Sequence, residues 1–293
     1  MRAPEHPAPV VRPEREGRLV DAREFGIVEK PLSFWETLAN ITALRKVLIL
    51  IVLATIWELY ARWLNNPLLV PTFSSTIAAF IHALFQGSLL LKVWTSIKIL
   101  LLGYSMGIAL AAILTTLAIT TRIGNDFLET LTAMFNPLPA IALLPLALIW
   151  FGLGPKSLAF VLIQSVLWPV ALNTHSGFTS VSTTLRMVGR NYGLRGLNYV
   201  RQILVPAAFP SILTGLKIGW AFAWRTLIAA ELIFGVSSGS GGLGWFIYES
   251  KNTLDIPDVF AGLFTVILIG LFVENVIFRT IEGRTIRRWG MST

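Results

Sequence analysis

Residues 93–119 read VWTSIKILLLGYSMGIALAAILTTLAI, an unbroken apolar block whose single formal charge is Lys98. A helix rises about 1.5 Å per residue, so about 20 apolar residues cross a hydrocarbon core about 30 Å thick. This block exceeds that length. Lys98 lies near one end, where its long side chain can reach the interface. Gly103 and Gly107 add the small-xxx-small spacing that lets a second helix approach closely.

Working outward, five further blocks have comparable length: about 47–64, 128–151, 157–174, 212–235 and 258–279. Apolar residues make up 54% of the chain, charged residues only 14%, and mean hydropathy is +0.68. A soluble domain carries about 25% charged residues and could not cover its surface from this composition. The expected fold is therefore all-α, a polytopic membrane protein with six transmembrane helices. Domain limits follow as an N-terminal extension 1–46, a six-span region 47–279 and a tail 280–293. Within the extension, Ser33 and Glu36 have capping-box spacing, and they predict an interfacial helix over 33–45. Pro67 and Pro71 mark a turn after the first span, followed by a short helix from Ser74. The third block contains Asn136, Pro137, Pro139 and Pro145. Three prolines in one helix free backbone groups that lipid cannot satisfy, so this span should face a cavity or neighbouring helices.

Composition also excludes chemistries. There is no cysteine, which removes disulfides, thiolate zinc sites and thiol catalysis. His6, His82 and His175 are far apart and show no metal-binding spacing. The proline- and charge-rich opening does not read as a cleaved secretion signal. The net charge of +8 resides in short segments beside the apolar blocks, which argues against nucleic acid. Eight Arg/Lys fall in 1–46, four between Arg186 and Arg201, and four between Arg279 and Arg288. The positive-inside bias then places both termini in the cytoplasm.

Between the fourth and fifth blocks runs LRMVGRNYGLRGLNYVRQILVPAAFPSILTG, residues 185–215. It is too charged to span and too regular for a plain linker. Pro206 disfavours a helical conformation at Val205, so a helix should end there. A short amphipathic helix held between two spans suits a lever driven by a cytoplasmic partner; an ordinary helix lying on the membrane fits the pattern as well.

This stretch resembles the cytoplasmic signature of permeases of binding-protein-dependent ATP-driven importers. Gly193, Ile203 and Pro206 match its glycine, isoleucine and proline. Val205 stands in place of leucine, and Met187, Val188 and Gly189 replace the usual Glu-Ala-Ala. LVPTFSS (69–75), PLPAIALLPLALIWFGLGPKS (137–157), LVPAAFPSILTGLKIGWAFAWRTLIAAELI (204–233) and SGGLGWFIYESKN (240–252) are similar to the aliphatic sulfonate, taurine and nitrate or bicarbonate branch of that family. The likeness covers about 45–280. It implies a coupling helix within about 185–206 (Arg190, Gly193, Arg195, Ile203, Pro206) that docks on an ATPase. It further implies a second copy of the permease, two cytoplasmic ATPase subunits, an external solute-binding protein and a bacterial inner-membrane location. Cofactors in this chain are then none, with ATP and Mg bound by the partner ATPase. The glycine-rich GVSSGSGGLG (235–244) lacks the Lys-Ser/Thr ending of a phosphate loop. It reads as an external turn in which Gly241, Gly242 and Gly244 can meet the binding protein; a purely structural turn fits equally.

Ionisable groups inside a membrane are costly and mark function by default. Arg225 and Glu231 stand out on the fifth span. Six residues apart, they are not an i,i+4 pair. The expectation is that Arg225 lends positive potential to an anion path while Glu231 organises packing, both being candidate path residues with Asn136 and Gln164. A structural role for both charges remains the alternative. An ion-coupled secondary transporter is the rival function, but it leaves the basic 185–206 segment without a purpose. An enzyme would need convergent Asp, His or Ser groups near one interface, and none is visible.

Overall fold

The computed structural model describes residues 40–234 and 241–286. They form helices throughout, joined by short turns. The chain divides into two compact units, residues 1–53 and 54–293. In the first, the described residues open the helix Thr42–Leu64, and its apolar side chains from Val47 to Leu53 are exposed. The expected helix at 33–45 lies mostly outside the described residues; positions 42–45 belong to the first turns of this long helix.

Four helices are long and apolar enough to cross a membrane: Thr42–Leu64, Leu89–Thr120, Pro155–Ser180 and Ile256–Arg284. Two bent pairs complete a set of up to six, Arg122–Phe135 with Ala140–Phe151 and Gly196–Ala207 with Phe209–Ile233. The chain is thus an all-α polytopic membrane protein.

The third span is not the single helix expected over 128–151. It stops at Phe135, with Asn136 as its C-terminal cap, turns through 87°, and resumes as a 3-10 turn Ala140–Leu143 leading into Leu144–Phe151. Pro137 and Pro139 donate no N–H, and although Asn136 stays helical at φ −64°, ψ −36°, Pro139 itself is extended at ψ 120°, so the ladder ends there. Pro145 does no such damage, because it sits in the first turn of the second half, where an N–H is free anyway.

The helix expected to end at Val205 departs from expectation in the opposite sense. It does not end at Val205, which is helical at φ −61°, ψ −50°, and it runs on through Pro206 to Ala207. Residues Val200–Leu204 form a π-turn, with Val205 N–H bonded to the Val200 carbonyl. This wider turn takes up one extra residue and leaves room for the proline ring, a known way of absorbing it. The chain then bends by 80° around Ala208 into the fifth span.

Packing centres on Pro155–Ser180. In its most apolar window 72% of residues are buried, against 28% for Leu89–Thr120 and 22% for Ile256–Arg284. Two neighbours reach it through glycine. From the second span Gly103 meets Leu162 and Gly107 meets Val166; from the fifth, Gly215 meets Asn173 and Gly219 meets Val170. A helix without side chains at the contact brings its backbone close, which is how apolar helices gain dispersion energy in lipid. Lys217 forms an ion pair of 2.8 Å with Glu282 on the last helix, and Lys98 lies 5.0 Å from the Trp94 ring centroid.

At the far end of the first span, Glu58 accepts from Ser74 N–H at 3.0 Å and pairs with Arg62 at 2.7 Å. Thr72 Oγ1 caps the same helix, Phe73–Phe85, by accepting from Ser75 N–H.

Candidate functional site

The break in the third span opens a cleft of about 270 Å³. Asn136, Pro137, Gln164, Trp168, Phe222 and Thr226 are among its lining residues. Gln164 Nε2 donates at 3.2 Å to the Phe135 carbonyl, which also accepts from Leu138 N–H within the break. Phe135 stacks on Trp168, with centroids 5.8 Å apart and rings 6° from parallel. Two of the four path candidates, Asn136 and Gln164, thus meet here. The wall is mostly apolar, with amide and hydroxyl groups placed singly, as in sites that orient a ligand without gripping it.

Arg225 is exposed and has no ion-pair or hydrogen-bond partner among the described residues. On its helix it lies about 60° around from Phe222 and about 100° from Thr226, and it is not among the residues that line the cleft. A charge presented from mid-span must face water or another protein rather than lipid.

Glu231 does not line this cleft. It is 2% exposed, held where the second span, the fifth span and the helix Leu243–Asn252 meet. Ser96 Oγ lies 2.8 Å from both carboxylate oxygens and donates to them, Gly244 N–H donates at 2.8 Å, and Leu243 N–H donates to Ser96 Oγ at 2.8 Å. Glu231 thus sits at a buried junction of three helices, apart from the cleft that Asn136 and Gln164 line. Gly241, Gly242 and Gly244, expected to face outward, are buried. A Cβ at Gly242 would overlap the Glu231 carboxylate, and one at Gly244 would lie 2.6 Å from Glu231 Cβ. Residues 235–240 of the same turn lie outside the described residues.

On the other side, Thr183–Asn191 and the helix beginning at Gly196 form a hairpin joined by Tyr192–Arg195. Gly193 turns it with φ +73°, a conformation that costs other L-residues about 1–2 kcal/mol. Its N–H bonds to Arg190 O and that of Leu194 to Gly189 O. Gly189 supplies the contact between the two arms: a Cβ there would lie 2.8 Å from Ile203 Cγ1. Arg190 and Arg195, both exposed, line a second cavity of about 360 Å³ with Thr120 and Tyr199.

Sequence reasoning missed several residues. Arg186 anchors the hairpin, donating to the carbonyls of Phe178, Thr179 and Val181 at the end of the fourth span; a cation just past a helix C-terminus was the available signal. Tyr192 and Leu197, at and beside the hairpin turn, are 82% and 70% exposed, and Met187 on the first arm is 61% exposed. Ser96 carried no signal, since its partner is 135 positions away. Among the described residues, no cluster of His, Asp and Glu could hold a metal ion.

A family model described as "Binding-protein-dependent transport system inner membrane component" matches residues 104–288. A putative ABC transporter permease protein of Methanocaldococcus jannaschii is 34% identical over 224 residues, covering 75% of this chain and 83% of the relative. The nitrate import permease protein of Synechocystis is 27% identical, covering 85% and 90%. A putative aliphatic sulfonates transport permease protein of Escherichia coli is 29% identical, covering 76% and 83%.

Proposed function

The chain belongs to the inner-membrane components of binding-protein-dependent transport systems, and from that premise we propose that it forms the translocation pore of an ATP-driven importer for a small oxyanion such as a sulfonate, taurine, nitrate or bicarbonate. As a transport permease it is not itself the ATPase. Two copies assemble in the cytoplasmic membrane with both termini inside, two ATPase subunits beneath and a solute-binding protein outside.

One observation carries the reading: the family match spans the broken third span's exit, the hairpin and the fifth span together. The hairpin supports it physically. Exposed Met187, Tyr192 and Leu197 beside Arg190 and Arg195 make an apolar tip with a basic flank, a composition suited to a protein partner rather than to water. Gly193 sets the turn, while Ile203 and Pro206 belong to the arm that leads into the fifth span. That arm meets the fifth span, which carries Arg225, at the 80° bend around Ala208.

In this assembly Arg225, Asn136 and Gln164 border the path. Arg225 raises the local anion concentration, and the amides supply hydrogen bonds. The test is the purified complex reconstituted in vesicles with its binding protein. Arg225→Ala should abolish most anion-stimulated ATP hydrolysis while assembly stays intact; full stimulation in that variant would refute the anion-path role. Purification of the chain without any nucleotide-binding partner would refute the importer.

A further inference from the structure

The helix Leu243–Asn252 begins without a cap of its own. Its N-cap residue is Gly242, which has no side chain to receive the free N–H groups of the first turn. Those groups are instead served from two other helices. Gly244 N–H donates to Glu231 Oε2 on the fifth span, and Leu243 N–H donates to Ser96 Oγ on the second. Ser96 in turn donates to Glu231. Gly242 and Gly244 are the positions where any side chain would displace the carboxylate. One turn before Ser96, Lys92 forms a looser pair of 3.8 Å with Glu249 on the same helix. Gly262 on the last span admits Ile247 and Phe246 from below.

The geometry points to Glu231 as the positioning residue that joins the external helix 243–252 to the second and fifth spans, so that a binding protein docking on this helix acts directly on the fifth span. This rests on the importer reading for its partner and its orientation. The physical reason is that a buried carboxylate tolerates its position only while donors surround it. Here the donors are a hydroxyl and the positive end of a helix, which favours an anion. Pulling the external helix away would strip Glu231 of its backbone donor and leave the Ser96 hydroxyl to hold it unaided. The three elements therefore shift together. The fifth span also carries Arg225 and continues from the cytoplasmic hairpin, so the clamp places the external helix and the hairpin at opposite ends of one element.

Two measurements on the full complex test this. The first is the ratio of ATP hydrolysis with and without the binding protein. Glu231→Ala should lower that ratio about tenfold, toward one, whereas Glu231→Gln, which keeps an acceptor oxygen for Gly244, should stay within about threefold of the native ratio. If both rates fell together and the ratio held, the residue would be merely structural and the proposal would be overturned. The second needs no unstable variant. Spin labels at Lys251 and Ile233, both exposed, should keep one distance distribution in the resting and ATP-bound native complex. A shift between those states would overturn the clamp. A native complex that hydrolyses ATP without responding to any binding protein would instead refute the importer reading, while the label pair would still judge the clamp.

Discussion

Leu162 occupies the space that Gly103 leaves empty: a Cβ on the glycine would lie 2.5 Å from the Leu162 Cβ. One turn on, Gly107 stands in the same relation to Val166 at 2.7 Å. Contacts this close involve the stem of each side chain, which no rotamer change can move aside. Gly103→Ala should therefore push the second and fourth spans apart at a cost of about 1–3 kcal/mol. Thermal denaturation in detergent checks it, with Gly270→Ala as control, because the nearest atom there is 3.9 Å away.

Gly193 is constrained by its backbone alone. It has φ +73° and nothing within 4 Å of where a Cβ would sit. Gly193→Asn should be tolerated, Gly193→Ala should cost about 1 kcal/mol, and Gly193→Val more, in the order of left-handed propensity. Limited proteolysis of the hairpin should rank the variants in that order; equal resistance in all three would contradict the turn geometry.

Arg186 holds three carbonyls with one guanidinium. Arg186→Lys keeps the charge but not the fork, so it should recover only part of what Arg186→Ala loses, about 1.5–3 kcal/mol for hydrogen bonds to a charged donor. Hydrogen exchange over 178–190 would report the loosening.

Met187 and Leu197 make no large buried contact within the subunit. Met187→Asp with Leu197→Asp should leave the melting temperature of the isolated permease within a degree or two, since surface changes fall within about 0.5 kcal/mol. Co-purification of the ATPase should fall sharply. If the melting temperature dropped instead, the hairpin tip would be packed internally.

Much of this architecture was legible from hydropathy, because lipid enforces long apolar helices whatever they pack against. The ends of the elements were less so. Counting prolines located trouble in the third span, but the spacing of Pro137 and Pro139 decides that the trouble is a turn of 87° rather than a kink. At Pro206 the local rule failed, since a π-turn two residues earlier had already removed the conflict. Asn136 and Gln164 were visible as polar residues in apolar blocks, and the fold brings them to one cleft. Glu231 was equally visible, yet its role depends on Ser96 and on the amides of Leu243 and Gly244. Neither periodicity nor spacing can express a contact between such distant positions. The glycines at 241–244 looked like an exposed turn for the same reason. Their lack of side chains makes space for a carboxylate.

The fourth span, gripped at glycine distance by the second and fifth, has a kinetic consequence. A helix so enclosed cannot spin on its axis or slip by a turn without unseating two neighbours at once. Any rearrangement that opens the pore must then leave this trio intact and swing what is attached to it. Two pivots available among the described residues are the sharp bends around Asn136–Pro139 and at Ala208. Both are short and proline-flanked, and each sits where a stiff segment meets the trio, so a small turn there is amplified along the arm beyond it.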